Sequence, residues 1–175
     1  MTTFDKFLIT AVYRFISYIK FLLTATNQHG VHSPFIYGFV TKGLYRKGNK
    51  DLSVTENVLA KSISYFSHKN IGLVTDSNEL KIKLNTIFEE LDYGSFPFDI
   101  IYANVLGKPF KTIGKQYIHN ESMLIIEGIH ATKKSRTMWH ALKEQEHVRV
   151  TLDLYHCGIV FFRKEQAKEH FKIRI

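Results

Sequence analysis

Glu127 and His130 stand three residues apart in the run Ile126-Glu127-Gly128-Ile129-His130. A carboxylate near an imidazole can pass protons, because histidine titrates near neutrality, or it can offer two ligands to a metal. Two ligands fall short of a closed metal site, and no cluster of Cys and His elsewhere has zinc spacing, so no metal is expected. Asn104 closes the run Phe98-Asp99-Ile100-Ile101-Tyr102-Ala103. It is neutral at every ordinary pH, so it neither anchors a cation by charge nor acts as a base. Thr75 closes another apolar run, Ile71–Thr75, and Asp76 and Ser77 follow it. Asp76, Ser77 and Asn78 are also strong helix N-cap residues, and capping is their ordinary use. Cys157 has no base partner in sight and is expected to pack rather than react.

These residues matter because of the elements that must carry them. From His68 onward the chain alternates between strand and helix patterns. Ile71–Thr75, Phe98–Ala103 and Ser122–Glu127 read as short apolar strands. Leu80, Leu84, Ile87, Phe88 and Leu91 mark a helix by their spacing, as do Met138, Trp139 and Leu142 within Thr132–Gln145. A short helix is expected over Lys108–Tyr117. The chain closes with a hairpin whose strands run over 148–154 and 158–163, the first alternating and the second continuously apolar. Strands separated by helices imply parallel pairing and an α/β layer fold. Ligands in such a fold sit at the C-terminal ends of the strands, beside a topological switch point. That rule selects Thr75–Asn78, Ala103–Gly107 and Glu127–His130.

Helices precede the alternating part. Phe4 to Leu23 carries apolar residues at three- and four-residue steps and predicts an amphipathic helix with a wide apolar face. Asp5, Lys6, Arg14 and Lys20 interrupt it, so it is not a membrane span, and no cleavage site marks it as a signal peptide. It is expected to enter the core or to form a homodimer contact rather than to lie on a membrane. Ser33 with Pro34 opens a second helix, and the capping box of Ser53 and Glu56 opens a third. The expected division is a helical segment over 1–67 and an α/β domain over 68–175, joined in one unit. At 175 residues the chain is long enough for one core and short for two. One cysteine excludes an internal disulfide and fits a cytoplasmic protein. The net charge of +8 permits contact with anions. Its Lys and Arg are scattered, however, without the blocks of a nucleic-acid binder, so a basic nucleic-acid-binding protein is the last-ranked expectation.

The stretch His147–Phe171 (HVRVTLDLYHCGIVFFRKEQAKEHF), the segment His29–Phe35 (HGVHSPF) and the Phe98–Asn104 strand resemble one bacterial branch of the class I S-adenosylmethionine-dependent methyltransferases. The resemblance implies a Rossmann-like sheet ending in an antiparallel hairpin, here reduced in strand number. It also implies S-adenosylmethionine as cofactor, held near Thr75, Asp76 and Ser77, and catalytic positions at Asn104, Glu127 and His130. The family pairs an acid with two or three glycines after its first strand, whereas Val74-Thr75-Asp76-Ser77-Asn78-Glu79 has none. The family's second strand ends in an acid that holds the ribose, and only six residues lie between Leu91 and Phe98. Asn104 stands where the family has an aspartate, and Gly128 where it has a second acid. The expected function is therefore that of a methyltransferase-like protein with weak or no cofactor binding. The alternative is an active enzyme that moves a methyl group to an acceptor oxygen or nitrogen.

Overall fold

The computed structural model describes residues 3–75, 78–104 and 114–175. Among them, a helix α1 (Thr3–Thr24) leads through a 3₁₀ turn at Gln28–Gly30 into α2 (Pro34–Phe39), which runs on as a π-helical turn over Val40–Leu44. Ser33 caps α2 by accepting from the Ile36 N–H, and Pro34 takes the first turn, as their types require. Then follows α3 (Val54–Phe66). Its capping box is complete: the Glu56 N–H donates to Ser53 Oγ at 3.2 Å, and the Ser53 N–H donates to Glu56 Oε2 at 2.6 Å.

The rest is β1 (Ile71–Val74), α4 (Glu79–Ile87), β2 (Phe98–Ala103), β3 (Ile118–Glu127), α5 (Lys133–Lys143), β4 (Val150–Asp153), β5 (Cys157–Phe161) and β6 (Glu169–Lys172). They form one six-stranded mixed sheet in the order β1-β2-β3-β5-β4-β6. β1, β2 and β3 pair in parallel; β5 inserts antiparallel between β3 and β4; β6 lies parallel to β4. The protein is thus an α/β fold with N-terminal helices and an antiparallel closing hairpin.

Alternate residues of the strands serve two cores. On one face Ile71, Ile100, Ile125, Leu152 and Ile159 pack under α2, α3 and α4. On the other, Ile101, Leu124 and Val160 pack under Trp139 and Leu142 of α5. Gly158 of β5 lets that indole approach, since a Cβ there would sit 2.6 Å from the Trp139 ring.

Both sheet edges end in a single bridge. Beyond β6, Thr26 pairs with Ile173, which ties the exit of α1 to the sheet. Beyond β1, Asp92 pairs in parallel with Asn70: the Ile71 N–H donates to the Asp92 carbonyl at 2.7 Å, and the Asp92 N–H donates to the Lys69 carbonyl at 2.9 Å. The β1–α4–Asp92 passage therefore steps outward, away from β2, with α4 on the α3 side. The β3–α5–β4 passage steps the opposite way with its helix on the other face, so the two crossovers share one hand, as right-twisted strands require. After Asp92 the chain turns back to β2. The point where the order reverses lies between β1 and β2.

Several expectations are corrected. The helix expected to reach Leu91 stops at Ile87, and Phe88 is already extended, because the chain must straighten to bring Asp92 beside Asn70. β3 begins four residues earlier than Ser122, and β6 was not foreseen. Of the helix expected over Lys108–Tyr117, residues 108–113 lie outside the described residues, and Lys115–Tyr117 is a 3₁₀ turn. The largest correction concerns α1. Its apolar face does not enter the core: Leu8, Val12, Phe15, Ile19 and Leu23 are exposed, and Ser17 and Phe21 face the body instead.

Candidate functional site at the C-terminal edge of the sheet

The ladder register sets Val74, Ala103 and Ile126 level with one another. The next residues, Thr75, Asn104 and Glu127, therefore stand in a row at the C-terminal edge, beside the reversal between β1 and β2. Thr75 and Asn104 are half-buried, and the Asn104 N–H donates to the Val74 carbonyl at 2.9 Å. Asp76 and Ser77 lie outside the described residues.

Glu127 ends β3 and turns toward the α3 face. The Tyr102 hydroxyl donates to its Oε2 at 2.5 Å. Burial, with that carboxylate beside it, pushes the Tyr102 phenol well above its ordinary range, so it stays a donor. Gly128 follows at φ 71°, in the left-handed region, and its N–H donates to the His156 carbonyl at 2.7 Å. A side chain at this position would be strained, which gives a backbone reason for glycine where a second acid was expected.

The turn throws His130 away from Glu127 and across the start of β5. His130 Nε2 lies 2.8 Å from Asp153 Oδ2 and 3.0 Å from Oδ1, at the end of β4. Both side chains are nearly buried, 11% and 6% exposed. Asp153 Oδ1 also accepts the Tyr155 N–H at 3.0 Å, holding a non-glycine residue at φ 67°. The Tyr155 ring stacks on the imidazole with centroids 5.1 Å apart. Its hydroxyl donates to the Arg14 carbonyl of α1 at 2.6 Å. Ser17 Oγ approaches His130 Nδ1 at 3.4 Å, and Phe21 packs on both rings. A serine, an imidazole and a carboxylate thus stand in line. Ser17 is 5% exposed and faces the body of the protein, so no acyl group can reach its oxygen.

Glu127 and His130 share a cavity of about 150 Å³ with Thr55, Arg14 and Tyr155, yet each bonds to a different partner. They do not meet as an acid–base pair. Cys157, opposite Glu127 in β5, is fully buried, and burial pushes its thiol up out of the reactive range. Among the described residues no group of three or more His, Cys, Asp or Glu could hold a metal ion. Asp153, Tyr155 and Ser17 complete the His130 cluster and were not singled out from sequence. Asp153 there was only one polar beat of an alternating strand.

A second polar cluster lies at the opposite edge. Asp99 Oδ1 pairs with His119 at 3.1 Å, and its Oδ2 accepts the N–H groups of Lys69 and Asn70. Arg163 pairs with Glu121 at 2.9 Å and covers the Phe35 ring. With His68 they line a cavity of about 290 Å³. It opens at the N-terminal ends of the strands, which is not where α/β sheets bind ligands. No family model, no curated protein and no solved structure matches the chain.

Proposed function

We propose that the chain is a class I methyltransferase-like protein whose cofactor site is degenerate, with weak or no binding of S-adenosylmethionine. The observation that carries this reading is the commitment of the edge residues. Glu127 is bonded to Tyr102, His130 to Asp153, and the cavity they share is about 150 Å³. Small-molecule sites are commonly about 300–1,000 Å³. The turn after β1 supplies no glycine for close approach of backbone to an adenosyl group. An outer strand with a ribose-holding acid at its tip is replaced by one bridge at Asp92. That bridge sits at the start of β1, at the wrong end of the sheet to reach a ligand beside Thr75. The described residues therefore do not fit the group.

The topology supports the resemblance from another direction. A passage out from β1 and back to β2 has no purpose in a sheet that ends at β1. It matches a larger sheet whose outer strands have shortened to a single pair.

Titration calorimetry of the full chain with S-adenosylmethionine and S-adenosylhomocysteine tests the reading. The expected result is no saturable heat at ligand concentrations up to about a millimolar, a binding free energy weaker than roughly 4 kcal/mol. Micromolar affinity for either compound would overturn it and favour the active enzyme.

A further inference from the structure

α1 is amphipathic in the inverted sense. At about 100° per residue, Leu8, Ile9, Val12, Phe15, Ile16, Ile19 and Leu23 fall within a sector of roughly 120°. All seven are exposed, Phe15 at 67% and Leu23 at 80%. Ser17 and Phe21, on the opposite side, are buried against the His130 and Tyr155 rings. At about 200 Å² per large apolar side chain, the outward sector presents on the order of 800 Å² of apolar surface. Monomeric soluble proteins rarely show more than about 300–600 Å² in one patch, so something covers this face.

The neighbouring surface indicates what. Ile16 sits at one margin of the sector and also lines a groove of about 550 Å³ between α1 and α5. The groove carries Lys20 from α1 with Lys133, Arg136 and His140 from α5, and no acid stands among the described residues that line it. Among the described residues Lys20, Lys133 and Arg136 form no ion pair. Asp5, the sole carboxylate of α1, lies in its first turn, where the helix dipole favours it. An apolar helix face bordered by unpaired cations matches the boundary between acyl chains and anionic headgroups. A second copy fits less well. It would bring two chains of net charge +8 together with a basic groove beside each contacting face.

We propose that α1 docks the protein on an anionic lipid surface. The helix lies in the plane of the interface with Phe15 and Leu23 among the upper acyl carbons, while Lys20, Lys133 and Arg136 meet lipid phosphates. Among the described residues no helix is long and apolar enough to cross a membrane, so the contact is peripheral.

Co-sedimentation of the full chain with vesicles tests this. One set is phosphatidylcholine alone, and the other contains about a third phosphatidylglycerol, where each nearby Lys or Arg strengthens binding several-fold. The expected result is sedimentation with the anionic vesicles, weakened by salt, and little with the neutral ones. Phe15→Glu and Leu23→Glu each abolish it while leaving the circular dichroism and melting of the protein unchanged, since both side chains point outward. Lys133→Glu with Arg136→Glu lowers the partition coefficient by roughly tenfold or more. Failure to bind anionic vesicles, or equal binding to both kinds, overturns the proposal. So does light scattering that shows a stable dimer, dispersed by Phe15→Glu, in a protein that ignores lipid.

Discussion

Asp153→Ala removes the acceptor on which the C-terminal edge is built, and its cost can be worked from the geometry. The His130–Asp153 pair is 2.8 Å long with both side chains nearly excluded from water. A buried hydrogen bond to a charged group contributes about 1.5–3 kcal/mol, and its loss leaves the imidazole without that partner. The same carboxylate holds the Tyr155 N–H, at a residue whose left-handed backbone is unfavourable by about 1–2 kcal/mol for a side-chain-bearing residue. We expect Asp153→Ala to lose about 3 kcal/mol, a large share of the roughly 5–15 kcal/mol that holds a domain together. Asp153→Asn keeps the volume and an acceptor oxygen for Tyr155, and should lose about half as much. His130→Ala leaves the carboxylate with the Tyr155 N–H as a partner and should cost about 2 kcal/mol, less than Asp153→Ala. The double variant should then be less destabilised than the sum of the two by about 1–2 kcal/mol. Urea unfolding followed by the fluorescence of Trp139, the single tryptophan, measures all four proteins. Additivity within about 0.5 kcal/mol would refute the reasoning. It would mean that the two groups do not act as a pair, and His130 would again be free to serve as a base.

Two further perturbations probe the cores. Gly158→Ala sets a methyl group 2.6 Å from the Trp139 ring at the centre of the sheet. It should cost about 1–3 kcal/mol and shift the emission of that indole, and unchanged stability would place α5 farther from β5 than described. Burial lowers the pKa of His68 from 6.5 to about 4. The unfolded chain therefore binds the proton more readily. The contribution of this residue is full above pH 6.5 and is lost as the pH falls through that value toward 4, to a limit of about 3 kcal/mol. His68→Gln should flatten the acid limb of the stability curve by that amount. Coincident limbs for the two proteins would show that the imidazole reaches water.

The elements were legible in the sequence wherever a local rule fixed them. Ser33 with Pro34 and Ser53 with Glu56 are capping chemistry confined to four residues, and the helices begin where those residues sit. β6 was also within reach, since Phe171 and Ile173 alternate with Lys172 and Arg174 in the period of a strand. What periodicity does not carry is the side on which the rest of the protein lies. The helix pattern of α1 defines an apolar sector without saying whether it faces in or out. The usual assumption, apolar inward, fails here because Ser17 and Phe21 dock on His130 and Tyr155, more than a hundred residues away. The fate of Glu127 and His130 was hidden for the same reason. Three residues of separation suggested an encounter, but a glycine at φ 71° sent the imidazole to a strand two places across the sheet.

The closed edge and the exposed helix face are consequences of one packing choice. α1 is held to the body through Ser17 and Phe21 on the His130–Tyr155 stack, through the Arg14 carbonyl on Tyr155, and through Thr26 on the last strand. Those contacts place the helix over the C-terminal ends of β3 and β4, where a ligand approaching His130 would have to enter. They also rotate its apolar sector to the outside. Turning α1 by half a turn to bury Phe15 and Leu23 would uncover the imidazole and break the Tyr155 hydrogen bond at the same time. A chain that used this edge for chemistry would need the first arrangement of α1 to be loose. A chain that uses α1 to reach a surface needs it held, and the His130–Tyr155 stack, anchored on Asp153, is what holds it.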